Sequence, residues 1–165
     1  MAHYANIKYC DVANGTGVRT SVFISGCTHK CKNCFNEVAW DFNYGSELTD
    51  SVISDIINSC EPDYIDGITL LGGDPLCGED NQNVSHTLCH IFKQRFPNKT
   101  VWLYTGYLYD QIKDLPVMEH VDVLVDGPYV DEKINLMLKF RGTENQRLIN
   151  IPETKKQDKI ILLDI

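Results

Sequence analysis

The chain has 165 residues, 43% of them apolar, with 23 acidic against 15 basic side chains and a net charge of -8. That length suits one domain with a real core and is too short for two comfortable ones. The acidic balance excludes nucleic acid as the main partner, and no apolar run approaches the ~20 residues of a bilayer span, so no membrane partner is expected.

The first predicted element is a strand over Val18–Ser25, apolar at Val22, Phe23 and Ile24. From Thr49 to Cys60 the apolar positions Val52, Ile53, Ile56 and Ile57 recur at helical spacing, with Thr49 or Asp50 placed to cap the helix start. Gly67–Leu71 is a second strand ended by two glycines, and Val84, Leu88, Ile91 and Phe92 mark a second helix that stops near Pro97. Val101–Tyr104 reads as a third strand, Tyr109–Leu115 as a short helix and Val121–Val125 as a fourth strand. Strands that alternate with crossover helices imply an α/β fold with a largely parallel sheet. The terminal segment 152–165 contains Ile160-Ile161-Leu162-Leu163, too apolar for a free tail, and is expected to pack on the domain or on a second subunit.

A closed eight-stranded barrel of this alternating type takes ~250 residues, so this chain supplies only part of one. Ligands of parallel α/β folds gather at the carboxyl ends of the strands. Gly26-Cys27, Gly72-Gly73-Asp74-Pro75, Thr105-Gly106 and Asp126-Gly127-Pro128 all follow predicted strands, and together they form one polar rim.

Cys27, Cys31 and Cys34, at Cys-x3-Cys-x2-Cys spacing, lie on that rim. A 4Fe-4S cube ordinarily takes four thiolates, so three leave one iron open, and an open metal position is the usual arrangement for catalysis. Structural zinc is the alternative, with His29, Cys10, Cys60, Cys77 or Cys89 as fourth ligand, although no second two-cysteine hook is present. Unligated thiols are a third reading. Seven cysteines cannot all pair, and the start Met-Ala-His-Tyr-Ala-Asn-Ile-Lys has no secretory pattern, so a reducing, cytoplasmic setting is expected.

Cys27-Thr28-His29-Lys30-Cys31-Lys32-Asn33-Cys34-Phe35-Asn36, followed by Gly72-Gly73-Asp74-Pro75, resembles the radical S-adenosylmethionine superfamily. Asn14-Gly15-Thr16-Gly17-Val18-Arg19, Trp102-Leu103-Tyr104-Thr105-Gly106-Tyr107 and Arg141-Gly142-Thr143-Glu144-Asn145-Gln146 are similar, within it, to the activating proteins of anaerobic (class III) ribonucleoside-triphosphate reductases. The resemblance runs from about Tyr9 to about Ile151.

The resemblance implies a partial β/α barrel over 1–165, a 4Fe-4S cluster on Cys27, Cys31 and Cys34, and S-adenosylmethionine on the open iron. It assigns Gly72, Gly73 and Asp74 to the methionine half of that cofactor, Asn33 and Phe35 to its adenine half, and Thr105 and Asp126 to ribose or methionine contacts. It further implies reductive cleavage to a 5'-deoxyadenosyl radical that takes hydrogen from a glycine of the reductase. An electron donor such as flavodoxin or ferredoxin and a possible homodimer come with it. The competing readings are an activase of another glycyl radical enzyme such as pyruvate formate-lyase, an iron-sulfur electron carrier, or a zinc module. Arg19 is read as a partner for a carboxylate near the cluster, Arg141–Gln146 carries no chemistry derivable from its spacing, and Phe23, Trp40 and Trp102 read as core aromatics.

Overall fold

The computed structural model describes residues 1–34 and 37–165. Its frame is one open seven-stranded sheet built from β1 (His3–Asp11), β2 (Arg19–Ile24), β3 (Ser46–Glu47), β4 (Gly67–Gly72), β5 (Thr100–Tyr104), β6 (Val123–Asp126) and β7 (Arg147–Asn150), in the order β3-β1-β2-β4-β5-β6-β7. The four middle strands β2, β4, β5 and β6 are parallel, joined by α1 (Asp50–Ser59), α2 (Glu79–Arg95) and the single turn α3 (Tyr109–Ile112).

These middle strands are the four that apolar runs predict. The edges differ from a purely parallel expectation: β1 lies antiparallel on β2, β3 on β1, and β7 on β6. All three of these strands lack the apolar signature of a buried parallel strand. β1 leaves most of its side chains partly or fully exposed, β3 has two residues, and β7 has only Leu148 and Ile149 buried.

Alternation along the strands builds two different faces. Val22, Ile24, Ile68, Leu70, Val101, Leu103 and Leu124 point to the helices and meet Ile53, Ile56 and Ile57 of α1 and Leu88 and Phe92 of α2 in the main core. The opposite face carries a small cluster of Trp102, Val123, Val125 and Leu148 under Phe140. α1 is stopped at its start by Thr49, whose hydroxyl accepts from the Val52 amide at 3.3 Å.

Arg19 is fully buried on this second face, at the end of the sheet where β2, β4 and β5 begin. Its guanidinium donates to Thr69 Oγ1, Thr100 Oγ1 and the carbonyls of Thr16, Ile68 and Thr100, with the Trp102 ring 5.7 Å away. The expectation that it serves a carboxylate near the cysteines is therefore corrected, because the cysteine loop follows the other end of β2. Burial pushes the group down to about 10, still charged at neutral pH. Arg19→Leu leaves several buried acceptors unpaired and is expected to cost about 3 kcal/mol or more. Urea unfolding of the parent and variant proteins measures it, and a loss below the error of the transition would show that the guanidinium is not a structural tie.

After β7, α4 (Ile151–Gln157) starts at Asn150, whose side chain accepts from the Glu153 amide at 3.2 Å. The chain then turns back, with Asn150 donating to the Ile161 carbonyl and Leu163 to the Leu148 carbonyl, both at 2.8 Å, so that residues 161–163 run beside β7. Among the described residues no helix is long and apolar enough to cross a membrane.

Candidate metal centre

The carboxyl ends of β2, β4, β5 and β6 share one rim, and the cysteine loop leaves the first of them. Gly26 donates to the Ala39 carbonyl at 2.7 Å and Cys27 to the Trp40 carbonyl at 3.2 Å, which pins the loop against the 3₁₀ turn Glu37–Trp40. Lys30 and Asn33 take left-handed backbone conformations (φ 51° and 56°), and Cys34 donates to the Cys31 carbonyl at 3.2 Å, so the loop curls tightly between its three thiols.

Cys27 is buried, while Cys31 and Cys34 are half-buried, and all three are free thiols. Burial pushes the Cys27 thiol up to about 11, so it is protonated at neutral pH, and a metal bound there would have to displace that proton. Among the described residues no three ligating side chains are placed to hold one metal ion. A cube asks for something else, since each thiolate serves a different iron. Of the spare cysteines, Cys77 alone touches the loop, with Sγ 3.2 Å from Thr28 Oγ1.

The turn after β4 supports this loop from below. Gly73 donates to the Ile24 carbonyl and Asp74 to the Gly26 carbonyl, both at 2.8 Å. A Cβ on Gly73 would lie 2.5 Å from the Ala39 carbonyl oxygen and 2.8 Å from the Gly26 backbone, so glycine is required by the approach of two chain segments. Gly72, with φ of 119°, has the same constraint against Ile24.

Asp74 is buried and ties three strand ends together. His29 of the cysteine loop meets its Oδ2 through Nε2 at 2.7 Å, Gly106 donates its amide to Oδ2 at 2.9 Å, Leu76 donates its amide to Oδ1 at 2.9 Å, and the Thr105 hydroxyl lies 3.0 Å from both oxygens. The hydrogen bond to Asp74 raises the His29 pKa against the opposing effect of burial. The imidazole is further held edge-on to Tyr107 at 4.6 Å, and a Cβ on Gly106 would lie 2.7 Å from it.

Cys27, Cys31, Cys34, Gly72, Gly73, Asp74 and Thr105 are thus connected parts of one rim. Asn33, exposed, donates from Nδ2 to Asp131 Oδ2 at 3.0 Å, while Phe35 lies outside the described residues. Asp126 is fully buried on the neighbouring strand end, where Arg147 donates to both oxygens at 3.0 and 2.6 Å and the Tyr109 amide donates at 2.9 Å. The ion pair raises the Arg147 pKa.

Sequence reasoning offers His29 only as a fourth zinc ligand and Tyr107 only as part of a resembling segment, and gives Arg147 no role. The position of His29 between two motif cysteines was the available signal; Tyr107 and Arg147 had none beyond closeness to rim residues. The Arg141–Gln146 segment gains a structural role. Gln146 Oε1 accepts from the Gly142 and Thr143 amides at 3.1 Å, its Nε2 donates to the Gly127 carbonyl, and Asn145 donates to the Pro128 carbonyl at 2.8 Å, locking the segment onto the turn after β6.

The rim of this α/β sheet carries a three-thiol loop, and a family of iron-sulfur proteins described as "4Fe-4S single cluster domain" matches residues 13–149. The proteins called anaerobic ribonucleoside-triphosphate reductase-activating protein from Enterobacteria phage T4 and from Haemophilus influenzae are each 38% identical to this chain. They cover 88% and 87% of it, and it covers 92% and 95% of them. The protein of that name from Escherichia coli K12 is 35% identical over 82% of this chain and 90% of its own length. The chain belongs to the family of anaerobic ribonucleoside-triphosphate reductase-activating proteins.

Proposed function

We propose that this chain activates an anaerobic ribonucleoside-triphosphate reductase by placing a radical on a glycine of that partner. The observation that carries the reading is a three-cysteine loop seated on the carboxyl rim of a parallel sheet and buttressed by Gly72-Gly73-Asp74. Family membership supplies the partner's identity.

Cys27, Cys31 and Cys34 fit a 4Fe-4S cluster with one open iron: three unpaired thiols lie within eight residues, on a loop held at its base by backbone bonds. Held by these three thiolates, a cluster would supply the reducing electron for cleavage of S-adenosylmethionine and so the radical chemistry directed at the partner's glycine. The protein's own work is orientation. Gly73 lets the β4 turn reach the loop base, and Asp74, through His29, fixes the middle of the loop. Its carboxylate is already filled by protein donors, so we assign Asp74 first to positioning, with the cofactor's amino group as an additional partner. Gly72 and Gly73 line the methionine side, Asn33 and Phe35 the adenine side. Thr105 presents from the end of β5, and Asp126 acts through the Arg147 pair.

We read the open sheet as a partial radical S-adenosylmethionine barrel in a single domain, its unclosed side admitting the partner's glycine loop. A reducing cytoplasm and a small electron-transfer protein, flavodoxin or ferredoxin, complete the proposal. The returning strand at 161–163 leaves Leu162 and Ile165 exposed, a place for a second subunit.

The test is anaerobic. Cluster-loaded, reduced protein is given S-adenosylmethionine, 5'-deoxyadenosine is quantified, and the reductase is then added and inspected for a glycyl radical by electron paramagnetic resonance. Both signals are expected. A coloured protein that yields no 5'-deoxyadenosine would be an electron carrier, a colourless one a zinc module, and a radical formed only on pyruvate formate-lyase would reassign the partner.

A further inference from the structure

Three of the five histidines stand together outside the cysteine rim. His86 and His90 are four residues apart in α2, so both leave the same face of that helix, one turn apart. His120 ends the 3₁₀ turn Pro116–Glu119, which packs against α2. The ring centroids form a nearly equilateral triangle of 5.8 Å (His86 to His90), 5.3 Å (His86 to His120) and 5.3 Å (His90 to His120). Nothing in the activation chemistry uses these residues.

Two features of the triangle point to a ligand. Imidazoles that share one tetrahedral zinc, with bonds of about 2.0 to 2.1 Å, have centroids about 5 Å apart, the spacing found here. Further, Nδ1 of His86 is buried with no hydrogen-bond partner among the described residues, and ring stacking does not satisfy such a nitrogen. His90 is exposed, which gives an ion a way in. As the rings stand, no three nitrogens meet on one ion. A half-turn about the last side-chain torsion exchanges ring nitrogens with carbons while leaving every centroid in place.

We infer that His86, His90 and His120 form a second metal site, for a divalent ion that favours imidazole such as zinc, nickel or copper. The ion clips α2 to the Pro116–Glu119 turn, with water in the remaining position.

Zinc is the probe. Cluster-loaded protein is titrated anaerobically with zinc chloride by calorimetry, alongside His90→Ala, the His90→Ala/His120→Ala double variant, and Cys27→Ser/Cys31→Ser/Cys34→Ser. The parent and the triple-serine protein are each expected to take up one zinc at the same site. Losing even an outer-shell partner weakens a metal about tenfold, so His90→Ala should weaken zinc by at least that factor and the double variant should not bind it. Zinc should also raise the unfolding temperature of the parent and not of the double variant. His90 is exposed, so its replacement leaves the core alone and decides the matter if the double variant does not fold. Absence of uptake by the parent, uptake unchanged in the histidine variants, or uptake lost with the three cysteines would each overturn the site.

Discussion

Cys31→Ala is expected to lose the iron-sulfur centre altogether, and with it every trace of S-adenosylmethionine cleavage. Two thiolates cannot hold a cube that already has one iron without a protein ligand, so Cys27→Ala and Cys34→Ala should fail in the same way. The structure supplies the controls. Cys60 closes α1, with Sγ 3.5 Å from the Ile56 carbonyl, Cys89 is buried in α2, and Cys10 is exposed near the start of β2. None of them lies at the rim, and their alanine variants should keep iron, sulfide and visible absorbance at the parent level. Cys77 is the informative one, because its sulfur sits 3.2 Å from Thr28 Oγ1 inside the loop. If Cys77→Ala removes the cluster as completely as Cys31→Ala, the site has four protein ligands and the open iron is gone from the argument. Iron and sulfide assays after anaerobic reconstitution read the result.

Asp74→Ala should have the second largest effect, on both stability and chemistry. It leaves the half-buried amide of Gly106 and the buried amide of Leu76 without their acceptor and frees His29 and the Thr105 hydroxyl. Hydrogen bonds to a charged group contribute about 1.5 to 3 kcal/mol each and do not add simply, so a loss of about 3 kcal/mol or more is expected. Without its tie to His29, the cysteine loop loses its fixed position, and cofactor binding should weaken roughly tenfold to a hundredfold. Urea unfolding of the cluster-free protein gives the first quantity and 5'-deoxyadenosine formation against cofactor concentration the second. Thr105→Val separates the two: it removes one hydroxyl from Asp74 and keeps the His29 contact, so it should cost less in both. An Asp74→Ala protein as stable and as active as the parent would reduce the rim to an ordinary turn.

The sequence by itself determined the four parallel strands, α1 and α2, and the grouping of three cysteines on one loop. Each of these is written in local periodicity or in close spacing: Val52, Ile53, Ile56 and Ile57 lie on one helical face, and Cys27, Cys31 and Cys34 lie on one loop. Only the tertiary structure decided the rest. β1, β3 and β7 are half-exposed or very short, and such strands are defined by the neighbour they pair with. Arg19 reads as a functional cation until the fold brings Thr69 and Thr100 to it from 50 and 81 residues away. Asp74 and Asp126 read as cofactor contacts from the resemblance alone, and only the fold shows their protein partners, His29 from 45 residues away and Arg147 from 21. A buried charge takes its meaning from its partners, and partners that distant in the chain are chosen by strand order, which no local pattern specifies.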